Sequence, residues 1–226
     1  MLFVGISLIV LLLYSVLKKK ISFDVLLFGF LFIFILGIDK KYFSWFVLVL
    51  ITIVLTLLIP LINKKHLSKG KRNSADLMAF WCSTAIFYLL SNYNHNAATL
   101  GYFGCLGYII FDVMSSEITL MESNHYLVFP YFKRVKRGIS GAISINGLLS
   151  GLLGLIIFCL ISYIFHGDLV SIISLLIVCS FVNLLESVSH EIRNVYNIIW
   201  MKNRITNAFY ALFSGIILYL FVVLKK

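Results

Sequence analysis

Charge is what this chain has least of. Charged residues make up 12% of its 226 positions, and only nine of them are Asp or Glu. A soluble domain averages about a quarter charged, so an ordinary water-soluble enzyme is excluded. Proline is almost missing, with two residues in the chain, which leaves long stretches free to run as helix. There is no CxxC pair, no HExxH and no closely spaced Cys/His set, so zinc-site and disulfide-scaffold signatures are absent. A Walker A loop, GxxxxGK[ST], is missing as well. The four cysteines, Cys82, Cys105, Cys159 and Cys179, each lie inside an apolar run and read as small core residues.

What the chain does have is hydrophobicity. It is 61% apolar with a mean hydropathy of +1.02, an excess that only a polytopic membrane protein accommodates. The predicted fold class is an all-α membrane helix bundle forming one integral membrane domain over 1–226. A spanning helix needs about 20 mainly apolar residues. Eight runs qualify or nearly so: 2–17, 21–38, 42–62, 74–91, 97–120, 139–166, 168–189 and 205–224. The first apolar run precedes Lys18, Lys19 and Lys20. A secretory signal has the reverse order, so 2–17 reads as a retained first span.

The basic residues give an orientation. Fifteen Lys and Arg fall in the connections between spans one and two, three and four, five and six, and seven and eight. The other side carries four: Lys40, Lys41, Lys225 and Lys226. The positive-inside rule therefore places the first set of connections in the cytoplasm and both termini outside. Six of the nine acids gather at the same cytoplasmic edge: Asp76, Asp112, Glu117, Glu122, Glu186 and Glu191. Chemistry is expected on that face.

Four polar constellations stand out there. In "FDVMSSEITLME", Asp112 and Ser116 are four apart and share a helix face, with Glu117 beside them. Carboxylates at membrane depth are costly and commonly functional; snorkelling or pairing with nearby cations is the plainer account. In "NLLESVSHEIRNVYN", Asn183, Glu186, His190, Arg193 and Asn197 form a polar stripe at helical spacing. That stripe is also what a helix shows when it runs on past the membrane surface. In "VKRGISGAISINGLLSGLLG", Lys133, Arg134, Lys136 and Arg137 lead into Gly138 and Gly141, then Ser144 and Asn146. Glycines let a backbone approach an anion, and the N–H groups at a helix start bind phosphate. The positive-inside rule alone explains the cations but not the glycines. Gly147, Gly151 and Gly154 continue at the spacing of helix-packing glycines. Finally, Asn73, Ser74 and Asp76 open the fourth span, and Asn203 and Asn207 open the eighth. Helix capping is the ordinary role for such residues.

Taken in order, these segments resemble the integral membrane family that includes the plant phytyl-phosphate kinase of the vitamin E salvage pathway. Its bacterial and archaeal members were long grouped only as a membrane domain of unknown function. The resemblance runs from about Lys71 to Ile216, within a family-like core at 63–226, behind three N-terminal spans at 1–62. "DVMSSE" matches the family's Asp-Thr-x-x-Ser-Glu element at Asp112, Ser115, Ser116 and Glu117, with Val113 in place of Thr. "RGISGAISING" matches its basic-glycine element throughout. "ESVSHE" keeps Glu186 and Ser187 of an acid-Ser-x-x-Gly-Ala element but runs on through Ser189, His190 and Glu191 without its Gly-Ala. The paired asparagines are Asn203 and Asn207; Asn73 and Asp76 match loosely.

The resemblance implies a kinase of a cytoplasmic membrane. It would pass the γ-phosphate of a nucleoside triphosphate, CTP first, to an isoprenoid (phytyl or prenyl) monophosphate. It also implies roles. Asp112, Glu117 and Glu186 would hold Mg²⁺, with Ser116 and Arg137 completing the catalytic set. Arg134, Lys136, Gly138, Gly141 and Ser144 would take the triphosphate, and Asn73, Asp76, Asn203 and Asn207 would orient phosphate. The expected partners are the bilayer, the isoprenoid phosphate and the nucleotide, and not nucleic acid. A transporter or flippase of anionic isoprenoid lipids, a non-catalytic lipid-phosphate binder and a cytidylyltransferase are the competing readings.

Overall fold

The computed structural model describes residues 40–49, 51–52, 85–119, 125–127, 133–135, 141–196 and 203–225. Four long helices dominate them: α1, His95–Thr119; α2, Ile145–His166; α3, Leu169–Tyr196; and α4, Asn203–Leu224. Each contains a stretch long and apolar enough to cross a membrane: His95–Ser116, Ile145–His166, Leu169–Ile192 and Thr206–Leu224. These are the fifth to eighth predicted spans. Those at 2–17 and 21–38 lie outside the described residues. Those at 42–62 and 74–91 are described only as helical pieces, 43–49 with 51–52, and 85–90.

The apolar stretch of α1 is 89% buried, against 33%, 39% and 22% for α2, α3 and α4. α1 is therefore the axis of the bundle, and the other three pack around it. Between lipid-bathed helices there is little hydrophobic drive, so close backbone approach and buried hydrogen bonds must hold them. Both are present. A methyl group on Gly104 of α1 would stand 3.1 Å from Gly215 Cα and 3.2 Å from Ser214 O of α4. The Gly104 carbonyl accepts from Ser214 Oγ at 3.0 Å and from Cys179 Sγ of α3 at 3.4 Å. Gly151 and Gly154 of α2 do press on α1, against Phe111 and Met114, and Ser150 Oγ donates to Met114 O at 3.0 Å. Cys105, Cys159 and Cys179 are free thiols in the core; Cys82 lies outside the described residues. The outward face of α2 presents Leu149, Leu153, Ile156, Leu160 and Ile164, as a lipid-facing surface does.

Before α1, a 3-10 turn at Lys40–Tyr42 carries Tyr42 and Trp45 into the core. Trp45 stacks on Tyr102 at 4.2 Å, and its Nε1 donates to Thr99 Oγ1 at 3.1 Å.

Two expectations need correction. The bundle is not purely α-helical: β1, His125–Leu127, and β2, Lys133–Val135, form an antiparallel pair between α1 and α2. The sequence there is rich in Tyr, Phe and Val and is broken by Pro130, a composition that favours extended chain over helix. The sixth span also starts at Ile145 rather than at 139. Ile143 exchanges both backbone hydrogen bonds with Tyr126, at 2.8 and 2.9 Å. Ser144 is extended and caps α2, its Oγ accepting from Gly147 N at 2.9 Å. Residues 141–144 are thus spent on a turn and a third short strand position. At the other end, Gly167 closes α2 in the left-handed conformation, and Asp168 opens α3 at once. α3 continues to Tyr196, past the end of its predicted span.

Candidate functional site

α1 and α3 run so that their C-terminal ends meet the N-terminal ends of α2 and α4, with the hairpin at the same end. This end collects most of the polar residues that the sequence singled out.

Its centre is Glu186. This carboxylate is 5% exposed and bridges two helices. The hydroxyl of Tyr108, fully buried on α1, donates to Glu186 Oε2. His190, one turn further along α3, places Nε2 at 3.4 Å from Glu186 Oε1. A buried carboxylate is tolerated when its oxygens have such partners. Asp112 follows Tyr108 by one turn of α1 and is half-buried. Its carboxylate, that of Glu186 and the hydroxyl of Tyr210 on α4 all lie within electrostatic reach of the Tyr108 hydroxyl. Three helices thus converge on one buried phenol.

The glycine turn docks beside this group. Gly141 has φ +86°, in the region that side chains other than glycine rarely adopt. A Cβ there would lie 2.8 Å from Ser187 O and 3.0 Å from both Cγ and N of Glu191. The turn therefore rests directly on the backbone of α3, on the turn of helix that follows Glu186. Glu191 is itself buried. Across the hairpin, Arg134 pairs with Tyr126, and Tyr126 bridges to Ile143. Directly opposed residues share a sheet face, so exposed Arg134 stands in one row with the strand position that leads into Ser144.

The predicted residues fall into three groups. Asp112 and Glu186 are brought to the Tyr108 hydroxyl, and Gly141 to the backbone of α3 at Ser187 and Glu191. Asn207 is half-buried in the first turns of α4, one turn before Tyr210. Ser144 is buried as the α2 cap. Ser116 turns its hydroxyl back onto Val113 O at 3.1 Å, and Ser189 does the same to Glu186 O at 2.7 Å. Glu117 and Asn203 are placed as helix positions on α1 and α4. Asn73, Asp76, Lys136, Arg137 and Gly138 lie outside the described residues. Among the described residues, no three His, Cys, Asp or Glu side chains come together as a metal site.

Sequence reasoning missed Tyr108 and Tyr210. Both had a signal. Tyr108 precedes Asp112 by four and Tyr210 follows Asn207 by three, spacings that share a helix face. Inside apolar runs, aromatic residues read as core.

Comparison with known proteins agrees with this architecture. A membrane protein of Methanocaldococcus jannaschii, named as the uncharacterised membrane protein MJ0933, is 27% identical over 143 residues. The aligned part covers 60% of this chain and 60% of that relative. No solved structure matches. The family described as "Integral membrane protein DUF92" matches residues 6–189, a region that holds Asp112, the glycine turn and Glu186 and stops short of Asn203. Four membrane-length helices and a match over most of the sequence lead to one conclusion: the chain belongs to the DUF92 integral membrane protein family.

Proposed function

We propose that this protein is a membrane phosphotransferase. It passes the γ-phosphate of a nucleoside triphosphate, CTP first, to an isoprenoid monophosphate such as phytyl phosphate. A phosphate oxygen of the acceptor forms a bond to Pγ as the bond from Pγ to the β-phosphate oxygen breaks. The products are the prenyl diphosphate and the nucleoside diphosphate. The attacking group is already an anion, so no general base is required. The difficulty is to bring two anions together, which is a matter of positioning and charge.

The observation that carries the reading is the docking of the Gly141 turn onto α3 at Ser187 and Glu191, on the turn of helix after Glu186. It joins a basic, glycine-bearing connection to carboxylates at the end of a lipid-facing bundle. The donor is aqueous and the acceptor is a lipid, so the two meet at such an edge. Arg134 is exposed on β2 and would attract and neutralise triphosphate, with Lys136 and Arg137 of the same connection. The backbone around Gly138 and Gly141 would approach the phosphates. Asn203 and Asn207 would orient a phosphate oxygen from α4, and Ser144 sets the start of α2.

Mg²⁺ is the implied cofactor. The oxygen donors suit it: this ion takes one or two carboxylates plus substrate phosphates rather than a full protein cage. Half-buried Asp112 is the described carboxylate best placed to hold it, with Glu117 and Glu186 from the implied set. Both Glu186 oxygens already face partners, so its share is smaller. The bound ion would offset phosphate charge.

The test is a detergent-micelle assay of the purified chain with phytyl or geranylgeranyl monophosphate, Mg²⁺ and each of the four labelled triphosphates. Prenyl diphosphate should form with one nucleotide preferred, and Asp112→Asn should abolish it. A nucleotide-linked lipid with release of pyrophosphate would instead make the protein a cytidylyltransferase. No product and no binding of either substrate would sink the enzymatic reading.

A further inference from the structure

The opposite end of the bundle holds a concavity. It has a volume of about 450 Å³ and lies among Lys41, Ser44, His95, Asn96, His166 and Lys225, with Asp168 at its side. Every long helix of the bundle contributes one end to it: the first turn of α1, the last turn of α2, the start of α3 and the last residues around α4. The volume is within the range of small-ligand sites, roughly 300–1,000 Å³.

Its polar lining favours an anion. Two lysines and two imidazoles face a single carboxylate, Asp168. That carboxylate is already engaged. It accepts from Val170 N at 3.2 Å and from the Ser171 hydroxyl, and pairs with Lys225 Nζ at 3.7 Å. The Ser171 hydrogen bond first, and Lys225 after it, hold its carboxyl below the ordinary range. Asp168 therefore tethers Lys225 at the rim. Among the described residues lining the cavity, a cation has no second carboxylate to meet.

The walls are also built in advance. The His95 ring lies flat on Trp45, at 6.2 Å and 6° between planes, with the edge of Tyr42 at 5.7 Å. Thr99 is fixed by Trp45 Nε1 and by its own bond to His95 O at 2.8 Å. The His166 ring meets Phe103 edge-on at 6.2 Å. Lys41 extends over the Tyr42 ring, with Nζ 5.4 Å from its centre. The aromatic walls are therefore ordered before a ligand binds.

We propose that this cavity is a site for a phosphate group at the membrane surface, held by Lys41, Lys225, Ser44, Asn96 and the two imidazoles. The group is carried either by a phospholipid headgroup or by a small soluble phosphate. The site is separate from the Glu186 end and stands whether or not the phosphotransferase reading does.

The experiment uses the full chain in nanodiscs and in detergent. Native mass spectrometry counts retained lipid after reconstitution with phosphatidic acid or with phosphatidylcholine. A parallel arm titrates inorganic phosphate against the tryptophan fluorescence, since Trp45 lies behind His95. Lys41→Gln should weaken phosphate-group binding by about tenfold, the scale of one lost charge-assisted contact. Asn96→Leu should weaken it by shape and leave the charge untouched. Leu153→Ala, on the lipid-facing side of α2, should leave it unchanged. Retention of phosphatidic acid alone identifies a lipid headgroup site; a fluorescence response to inorganic phosphate identifies a soluble ligand. Binding of neither, or equal binding by wild type and both cavity variants, overturns the proposal.

Discussion

Glu186 lies on a membrane-length helix, where a carboxylate without partners is costly. Tyr108 is what makes its position tolerable. Its hydroxyl reaches across from α1 to Oε2, and both side chains are shielded from solvent. Removing one partner of a buried pair costs more than the bond's net worth, because the remaining group is left desolvated. Tyr108→Phe keeps the ring and deletes only the donor. It should lower stability by about 1–2 kcal/mol, as buried hydrogen bonds between membrane helices do at the upper end. The midpoint of thermal unfolding in micelles measures this. Glu186→Gln keeps an acceptor for Tyr108 and should lower the midpoint less. Equal midpoints for wild type and Tyr108→Phe would show that the bond carries no stability. His190 stands where the acid-Ser-x-x-Gly-Ala element of the resembling family has its Gly. In this chain His190 faces Glu186, so the departure from the motif adds a partner to the acid.

The contact between the glycine turn and α3 belongs to the scale of elements. Gly141 is positive in φ and has no room for a methyl group, with Ser187 O at 2.8 Å from the position a Cβ would take. Gly141→Ala must either lift the turn off α3 or accept a strained backbone, at about 1–3 kcal/mol. Because α2 starts four residues later, its N-cap Ser144 should loosen with the turn. The expected result is loss of phosphotransfer with α1 and α4 still folded, read as retained helical circular dichroism and faster hydrogen exchange at 141–148. Unchanged exchange there would mean that the turn does not depend on α3. The glycine element was legible in the sequence as a motif, and so were the last four spans, because apolar runs of that length have few alternatives. The start of α2 was not. Apolar content continues across Gly141 without a break, and only the bridge from Ile143 to Tyr126 ends the extended chain at Ser144. Strands as short as β1 and β2, three residues each, carry no readable period. Asp112 and Glu186 could be named from sequence, but the phenol that joins their helices could not be separated from ordinary aromatic core.

At the scale of the whole molecule, the two ends differ in kind. One end has the hairpin, the glycine turn and the buried acids; the other has the cavity between Lys41 and Lys225. Which end meets the cytoplasm decides whether a nucleoside triphosphate can reach the carboxylates at all. The asymmetry of basic residues in the connections predicts the hairpin end to be inside. The structure offers two exposed reporters of sidedness, Lys133 on β2 and Lys225 after α4. Cys105, Cys159 and Cys179 are buried, so a background with Cys82→Ser leaves them shielded from a membrane-impermeant maleimide. In intact cells, Lys225→Cys should be labelled and Lys133→Cys should not; permeabilised cells should label both. The reverse pattern would put the glycine turn outside, away from cytoplasmic nucleotide. It would remove the phosphotransferase reading, since no rearrangement within one bundle end brings the triphosphate across the membrane. It would leave the cavity proposal standing, with its phosphate group then drawn from the inner leaflet or the cytoplasm.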